Sequence, residues 1–383
     1  MAVRTARIGA VGLVAAALTA ASFTSPVAAG AGPGHARTQQ AMDAAVKDGV
    51  PGATGQVNAA YSVWMGTSGV GNLKTGAPRS VVDHYRIGSM TKTFVATVML
   101  QLDAEGRIDL DSSVDRWLPG VVRGNGNDGR RISLRQLLNH TSGVPSYTAD
   151  PEFLERGFTV KFLEHRYDTY TPEQLVDIAM RQKPLFDPGS AWSYSNTNYI
   201  LAGMIIEKVS GRPYEDEIKR RVIDPLGLYA TSVPRTASSM PTPSSRAYSK
   251  LSLAPRPTDR TYDVTELNPS AAASAGAMIS TSGDLNRFYS ALLGGRLLPA
   301  KQLAEMKTTV PVSGAGLITA YGLGLMKFSP SCGAVVWGHG GNIQGSASQA
   351  VTSADGKHSL AFNFNGDWAG NTQAVIEAEY CPK

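Results

Sequence analysis

The spacing of apolar residues changes along the chain, and the changes mark its elements. From Gln56 to Val63 polar and apolar residues alternate, the period of a strand with one wet face, and Thr67-Ser68-Gly69 and Lys74-Thr75-Gly76 offer turn chemistry after it. An antiparallel hairpin is expected there. Thr38 to Lys47 before it reads as a helix. Beyond it the period lengthens: Phe94, Val95, Val98, Met99 and Leu102 recur at helical spacing between Lys92 and Glu105, and Gly106 stands where a left-handed residue closes a helix. Helical patterns dominate from Leu110 to Ala275, among them Ser133 to His140 and Tyr199 to Val209 with its stop at Gly211, broken by a Pro- and Ser-rich loop over Ser232 to Ser245. After Gly276 come a helix from Asp284 to Leu293, strand-like runs at Gly322 to Phe328, Ala334 to Gly338, Ala347 to Thr352 and Ser359 to Asn363, and a last helix over about Thr372 to Glu379. Strands at both ends with helices between them predict an α/β plus all-α architecture. Residues 38–88 and 276–383 would build an antiparallel sheet flanked by helices, and residues 89–275 an inserted all-helical subdomain, the whole forming a single working unit.

The first 29 residues carry a different pattern. Arg4 and Arg7 precede an apolar run from Ile8 to Leu18, and Val27-Ala28-Ala29 sets small residues at a cleavage site. This is the layout of a secretory signal, followed by a flexible Gly/Pro/Ala-rich mature N-terminus over residues 30–37. An uncleaved anchor is the alternative, although the run falls short of the roughly 18 apolar residues a span requires. No later stretch approaches that length, so a secreted, extracellular protein with no stable membrane span is expected. The formal net charge of +5 includes Arg4 and Arg7, and no block of like charges stands elsewhere, which leaves nucleic-acid binding without support. The two cysteines, Cys332 and Cys381, read as one disulfide in an exported chain or as two buried thiols. As a disulfide they would close a loop of roughly 50 residues, worth about 4 kcal/mol in the chain-entropy account.

Three short strings carry candidate chemistry: Ser89-Met90-Thr91-Lys92, Tyr194-Ser195-Asn196 and His339-Gly340-Gly341. Ser89 and Lys92 are i and i+3 at the start of a helix and so share a face. A serine hydroxyl becomes a nucleophile when a base takes its proton, and a desolvated lysine among Met90, Phe94 and Val95 can be that base. The same pair also fits an N-capping serine beside a solvated lysine. Tyr194 offers a phenol to shuttle a proton to the leaving group; Asn196 offers an amide to hold Lys92 and a substrate amide. The alternative for that string is an Asx-type turn before a helix. His339-Gly340-Gly341 follows Val335-Val336-Trp337, and glycines beside a strand let a substrate backbone pair with its edge, or simply mark a hairpin turn. Gly124-x-Gly126-x-x-Gly129 has no preceding strand and is read as a surface loop. The six histidines show no metal-ligand spacing, so neither metal nor cofactor is expected.

In this order and spacing the strings resemble those of the penicillin-recognising serine hydrolases, most closely the exported actinobacterial D-alanyl-D-alanine carboxypeptidases, with kinship to class C β-lactamases. The resemblance runs from about Gln56 to Cys381 and is densest at Gly88 to Phe94, Ser133 to Gly143, Tyr194 to Tyr199 and Tyr321 to Leu325. It implies that Ser89 is acylated, that Lys92 assists as base, that Tyr194 handles the leaving-group proton, and that backbone N–H groups of Ser89 and Asn342 form an oxyanion hole. Asn196 and His339 would complete the catalytic set, His339 standing where β-lactamases carry a lysine. Gly340, Gly341, Gln344 and Met326 fall at substrate-binding positions, and Cys332 and Cys381 match the disulfide. It also implies a small peptide substrate, β-lactams as covalent ligands and a monomer. Two positions depart from the carboxypeptidase pattern: Met326 and Gly340 replace the arginine and threonine that hold a free terminal carboxylate. A D-Ala-D-Ala carboxypeptidase-like hydrolase is thus the first expectation. A D-stereospecific endopeptidase, aminopeptidase or esterase is the alternative within enzymes, and a penicillin-binding sensor or sink without turnover is the alternative outside them.

Overall fold

In the computed structural model, which describes residues 34–59 and 61–381, the two ends of the chain meet in one eight-stranded sheet. The segment read as an export signal lies outside the described residues. Helix α1 (Ala36–Lys47) leads into the hairpin of β1 (Gly52–Ala59) and β2 (Ser62–Gly69), and helix α2 (Thr91–Ala104) follows a 3₁₀ turn at Gly88–Met90. Farther on stand α3 (Asn196–Ser210) and α4 (Ser282–Leu293). The chain then lays down β3 (Val310–Ala315), β4 (Ile318–Tyr321), β5 (Met326–Phe328), β6 (Val336–Ile343), β7 (Ser346–Ser353) and β8 (Ser359–Phe364), and closes with α5 (Thr372–Tyr380). The strand order is β2-β1-β8-β7-β6-β5-β4-β3, every pairing antiparallel.

Several boundaries move from their expected places. The hairpin closes within the alternating run, because β1 and β2 pair in full from Gly52↔Gly69 to Ala59↔Ser62 and draw Thr67 and Ser68 into the ladder. Gly322 to Phe328 is not one strand: the Gly322 N–H donates to Leu325 O at 2.7 Å and closes a turn between β4 and β5. The arm expected to be flexible up to residue 37 is already fixed at its end. Helix α1 begins at Ala36, His35 Nδ1 lies 3.1 Å from the Glu379 carboxylate, and the Arg37 guanidinium donates to Cys381 O.

Helices cover both faces of the sheet, which explains why β8 is buried at all six positions. Leu360, Phe362 and Phe364 pack with Met42 and Ala45 of α1 and Val375 and Ile376 of α5, while Ala361 joins the core on the opposite face. That second core is built round α2, buried at every position from Thr91 to Leu100. The apolar stripe in the sequence gives one face of this helix; the structure surrounds all of it, Phe94 stacking on Phe288 of α4 at 3.7 Å. A fully enclosed helix carries its polar residues inside with it, Lys92 among them. Cys332 and Cys381 form a disulfide that ties the end of α5 to the loop before β6. No helix among the described residues is long and apolar enough to cross a membrane.

Candidate active site

Ser89 sits on the 3₁₀ turn ahead of α2, and Lys92 one turn on, so Lys92 Nζ meets Ser89 Oγ at 3.1 Å. Gly88 makes the entry possible: its φ of +50° lies in the left-handed region, and a Cβ there would stand 3.0 Å from the backbone of Asn342 on β6. Lys92 Nζ also reaches Asn196 Oδ1 at 2.7 Å and Ala275 O at 2.7 Å. The last two can only accept. A neutral amine therefore spends its two N–H groups on them and turns its lone pair to the Ser89 hydroxyl. Burial favours that neutral form and holds the Lys92 pKa well below its ordinary value. No carboxylate pairs with Lys92 among the described residues; its other neighbours are the rings of Tyr194 and Tyr199, 4.9 and 5.5 Å away.

Asn196 opens α3, and both ends of its amide are engaged: Oδ1 takes the lysine proton, Nδ2 donates to Thr148 Oγ1 at 3.1 Å. Tyr194 is buried with it. Burial raises its pKa, an effect the nearby Ser89 hydroxyl only partly opposes, and its O–H closes no hydrogen bond. The result is a protonated, uncommitted phenol beside the serine.

The strand β6 contains the whole of His339-Gly340-Gly341, which is therefore strand and not a turn. Strand β5 pairs only with Val336, Trp337 and Gly338, so from His339 onward that edge of β6 carries no neighbouring strand. Gly341 lets this edge close on the serine turn: a Cβ there would fall 1.9 Å from Ile87 O and 3.1 Å from Ser89 N. The contact sets the Asn342 peptide beside the first turn of the helix, whose N–H groups lack intrahelical partners. His339 backs the site from behind. Because Gly340 O must accept, the proton sits on Nδ1 (2.5 Å), and Nε2 accepts from Tyr321 O–H at 2.9 Å. Burial lowers its pKa to about 3, so it is a neutral spacer, with no hydrogen bond to Ser89, Lys92 or Tyr194 and no place on the cavity wall.

A cavity of about 820 Å³, its open mouth included, runs from Ser89, Asn196 and Asn342 into the helical region. Tyr147, Phe153, Phe158, Phe162 and Tyr170 give it aromatic walls, and Arg156, His165, Arg166 and Asp168 stand among its polar groups. Gln344 closes one side by donating to Gly157 O at 2.8 Å, and Tyr147 O–H fixes another by donating to Ala271 O at 2.7 Å. Of the expected substrate-binding positions, Gln344 lines this cavity; Met326, Gly340 and Gly341 do not. Strand alternation is the reason. Register puts Met326 opposite Gly338, on the face Gly340 shares, where Met326 packs toward the α1–α5 core and a Cβ at Gly340 would press on Gln349; Gly341 is spent against Ile87. The aromatic walls come from short, irregular helices between 147 and 170 whose pattern signals no site. Ala275 and Thr148 were equally silent, since a backbone acceptor and an isolated hydroxyl leave no motif. His140, buried against Tyr194, was visible only within the Ser133 to Gly143 string. No group of three or more His, Cys, Asp or Glu side chains among the described residues is placed to hold a metal ion.

Comparison with known proteins gives this geometry a family. The family model described as Beta-lactamase matches residues 35–373. Penicillin-binding protein 4* of Bacillus subtilis (strain 168) is 28% identical over 291 residues, covering 73% of this chain and 60% of its own length, so the chain spans well under two thirds of that relative. Penicillin-binding protein 4 of Amycolatopsis lactamdurans is 28% identical over 315 residues, covering 80% of this chain and 74% of its own. Among solved structures, a D-stereospecific amidohydrolase from Streptomyces sp. superimposes with a TM-score of 0.87 at 60% identity, over 91% of this chain and 99% of that one. The D-amino acid amidase of Ochrobactrum anthropi SV3, complexed with D-phenylalanine, gives 0.77 at 28% identity over 90% and 98%.

Proposed function

The chain belongs to the beta-lactamase family, and from that premise we propose that it is an exported active-site-serine hydrolase that cleaves amides and peptides of D-configured residues through an acyl-enzyme on Ser89. The observation that carries the reading is the caging of Lys92 Nζ by two obligatory acceptors and the Ser89 hydroxyl. In the proposed reaction the lone pair of Lys92 takes the Ser89 proton as Oγ adds to the substrate carbonyl. The oxyanion turns to the N–H groups of Ser89 and Asn342. When the C–N bond breaks, the Tyr194 phenol protonates the departing nitrogen and recovers its proton from the Lys92 ammonium. Water then cleaves the ester by the reverse sequence. Asn196 holds the lysine, and His339 keeps Tyr321 and the β6 edge in place. The disulfide fits an oxidising compartment.

The substrate preference departs from the first expectation. The aromatic cavity beside Ser89 suits a bulky apolar acyl residue, and the Streptomyces and Ochrobactrum structures are named for D-stereospecific amide hydrolysis. Met326 and Gly340 stand where the carboxypeptidase pattern carries the arginine and threonine that hold a free terminal carboxylate, so that pair of groups is missing here. The proposal therefore favours the D-stereospecific alternative, extended here from peptides and esters to amides, over a carboxypeptidase. Steady-state hydrolysis decides it. D-phenylalanine amide should turn over faster than its L-enantiomer, and a D-Ala-D-Ala peptide with an amidated C-terminus about ten- to a hundredfold faster than its free acid, the scale of one lost charge-assisted bond. Preference for the free acid would restore the carboxypeptidase reading.

A further inference from the structure

One buried titratable group has no part in the chemistry above. His140 is fully enclosed, and its backbone has φ +64°, a conformation that Gly, Asn, Asp and His adopt more readily than other residues. Its own groups grip the turn that carries Tyr194 from both sides. The carbonyl accepts from Ser193 N–H at 3.1 Å, and ring Nδ1 accepts from Ser195 N–H at 3.3 Å. Asn198 Nδ2 is 3.1 Å from the same Nδ1. Asn198 is itself oriented: Ser142 Oγ accepts from Val144 N–H and so donates to Asn198 Oδ1 at 2.7 Å, which leaves the amide N–H₂ facing the histidine. With two donors converging on Nδ1, the lone pair is there and the proton on Nε2, which is buried without a partner. The imidazole lies on the Tyr194 ring, centroids 4.3 Å apart.

We propose that neutral His140 is the positioning residue that seats Tyr194 against Ser89, acting through residues 193, 195 and 198 and never on the substrate. The inference rests on the acyl-transfer reading of the site. It accounts for a histidine at a left-handed position: no aliphatic side chain offers an acceptor there, and the ring supplies the surface on which the phenol lies. Protonation of Nδ1 would turn the shared acceptor into a donor and release both partners; burial opposes that protonation.

The test compares His140→Phe, which fills the ring's volume without an acceptor, with His140→Asn, whose amide oxygen comes near the Nδ1 place and which tolerates the left-handed backbone. Each is made alone and on Tyr194→Phe. Two measurements are taken: the rate of D-phenylalanine amide hydrolysis, whose departing nitrogen needs the Tyr194 proton, and hydrogen exchange in peptides spanning 193–198. His140→Phe is expected to slow amide hydrolysis about a hundredfold, the scale of a reacting group displaced by an ångström, with the half-saturating amide concentration little changed. It should speed exchange at 193–198, whereas His140→Asn keeps most of the rate and the protection. On Tyr194→Phe the His140→Phe change should add less than about threefold, because both act through one group. Fully multiplying effects, or an Asn variant as impaired as the Phe variant, would overturn the proposal. If His140→Phe does not fold, His140→Gln replaces it; its amide oxygen reaches past Nδ1, so it should fall below Asn, and equality of the two would overturn the proposal as well. Failure of the unmodified protein to hydrolyse the amide would sink the reading of the site, while exchange at 193–198 would still decide whether His140 holds the turn.

Discussion

Two buried polar clusters in this molecule are solved in opposite ways. At the junction of the chain ends, the Glu379 carboxylate is met by His35, by Thr38 Oγ1 at 2.5 Å and by His358 Nε2 at 2.7 Å. These partners outweigh its desolvation, and its pKa falls below the ordinary carboxylate value. At the start of α2, Lys92 is more deeply enclosed, yet it meets only neutral acceptors, and its pKa falls because the charged form is left uncompensated. The first cluster stabilises a charge and clamps α1 to α5. The second withholds compensation and so keeps an amine basic, unprotonated and aimed at a hydroxyl. A buried charge met by hydrogen-bond partners is architecture; a buried base without a counter-charge is available for chemistry.

The largest expected effect is on Lys92. Lys92→Arg retains the positive charge but cannot be deprotonated, so Ser89 acylation should fall by two or more orders of magnitude. Near-native acylation in that variant would move the base role to Tyr194 and remove the functional half of the contrast.

The next effect is on stability, which both groups make rise with pH but in different pH windows. Lys92 is protonated in the unfolded chain up to about pH 10.4 but neutral in the fold above its lowered pKa. Between those values the unfolded state binds the extra proton, so folding stability rises with pH by about 1.4 kcal/mol per unit from this group alone. Denaturant titrations of the parent and of Lys92→Met should therefore diverge as pH rises toward the titration of the unfolded lysine, in favour of the parent. A constant difference would mean that Lys92 is charged in the fold.

Glu379 should act in the same sense, in the acid range and by less. Its folded pKa is depressed, so its contribution is complete above the unfolded value near 4.3 and is lost as pH falls through the folded one. Glu379→Gln should lower stability by about 1.5–3 kcal/mol at pH 7, a deficit that shrinks under acid conditions, with Ser89 acylation unaffected. A loss of acylation equal to the loss of stability would join the two clusters into one network.

How much of this the chain announces depends on the range of the interaction. The α2 helix, its Gly106 stop and the Ser89–Lys92 pairing follow from residues within one or two turns, and they stand as read. The strand pattern located the C-terminal half of the sheet, yet missed β3 and β4, whose half-exposed positions carry no clean alternation. Lys92 as an enclosed residue was not in the helical stripe, since enclosure comes from α3 and the 273–276 helix, both distant in sequence. The same holds for His140: the string containing it is legible, but its grip on residues 193–198 exists only once two loops about 55 residues apart meet.

The most direct test of the central claim is to mix the protein with the activated ester of D-phenylalanine, quench in acid and weigh the intact chain. The account predicts one acyl group per molecule on Ser89, formed faster with the D-ester than with the L-ester, and none in Ser89→Ala. An unmodified mass with both enantiomers, or an adduct that survives in Ser89→Ala, would contradict it.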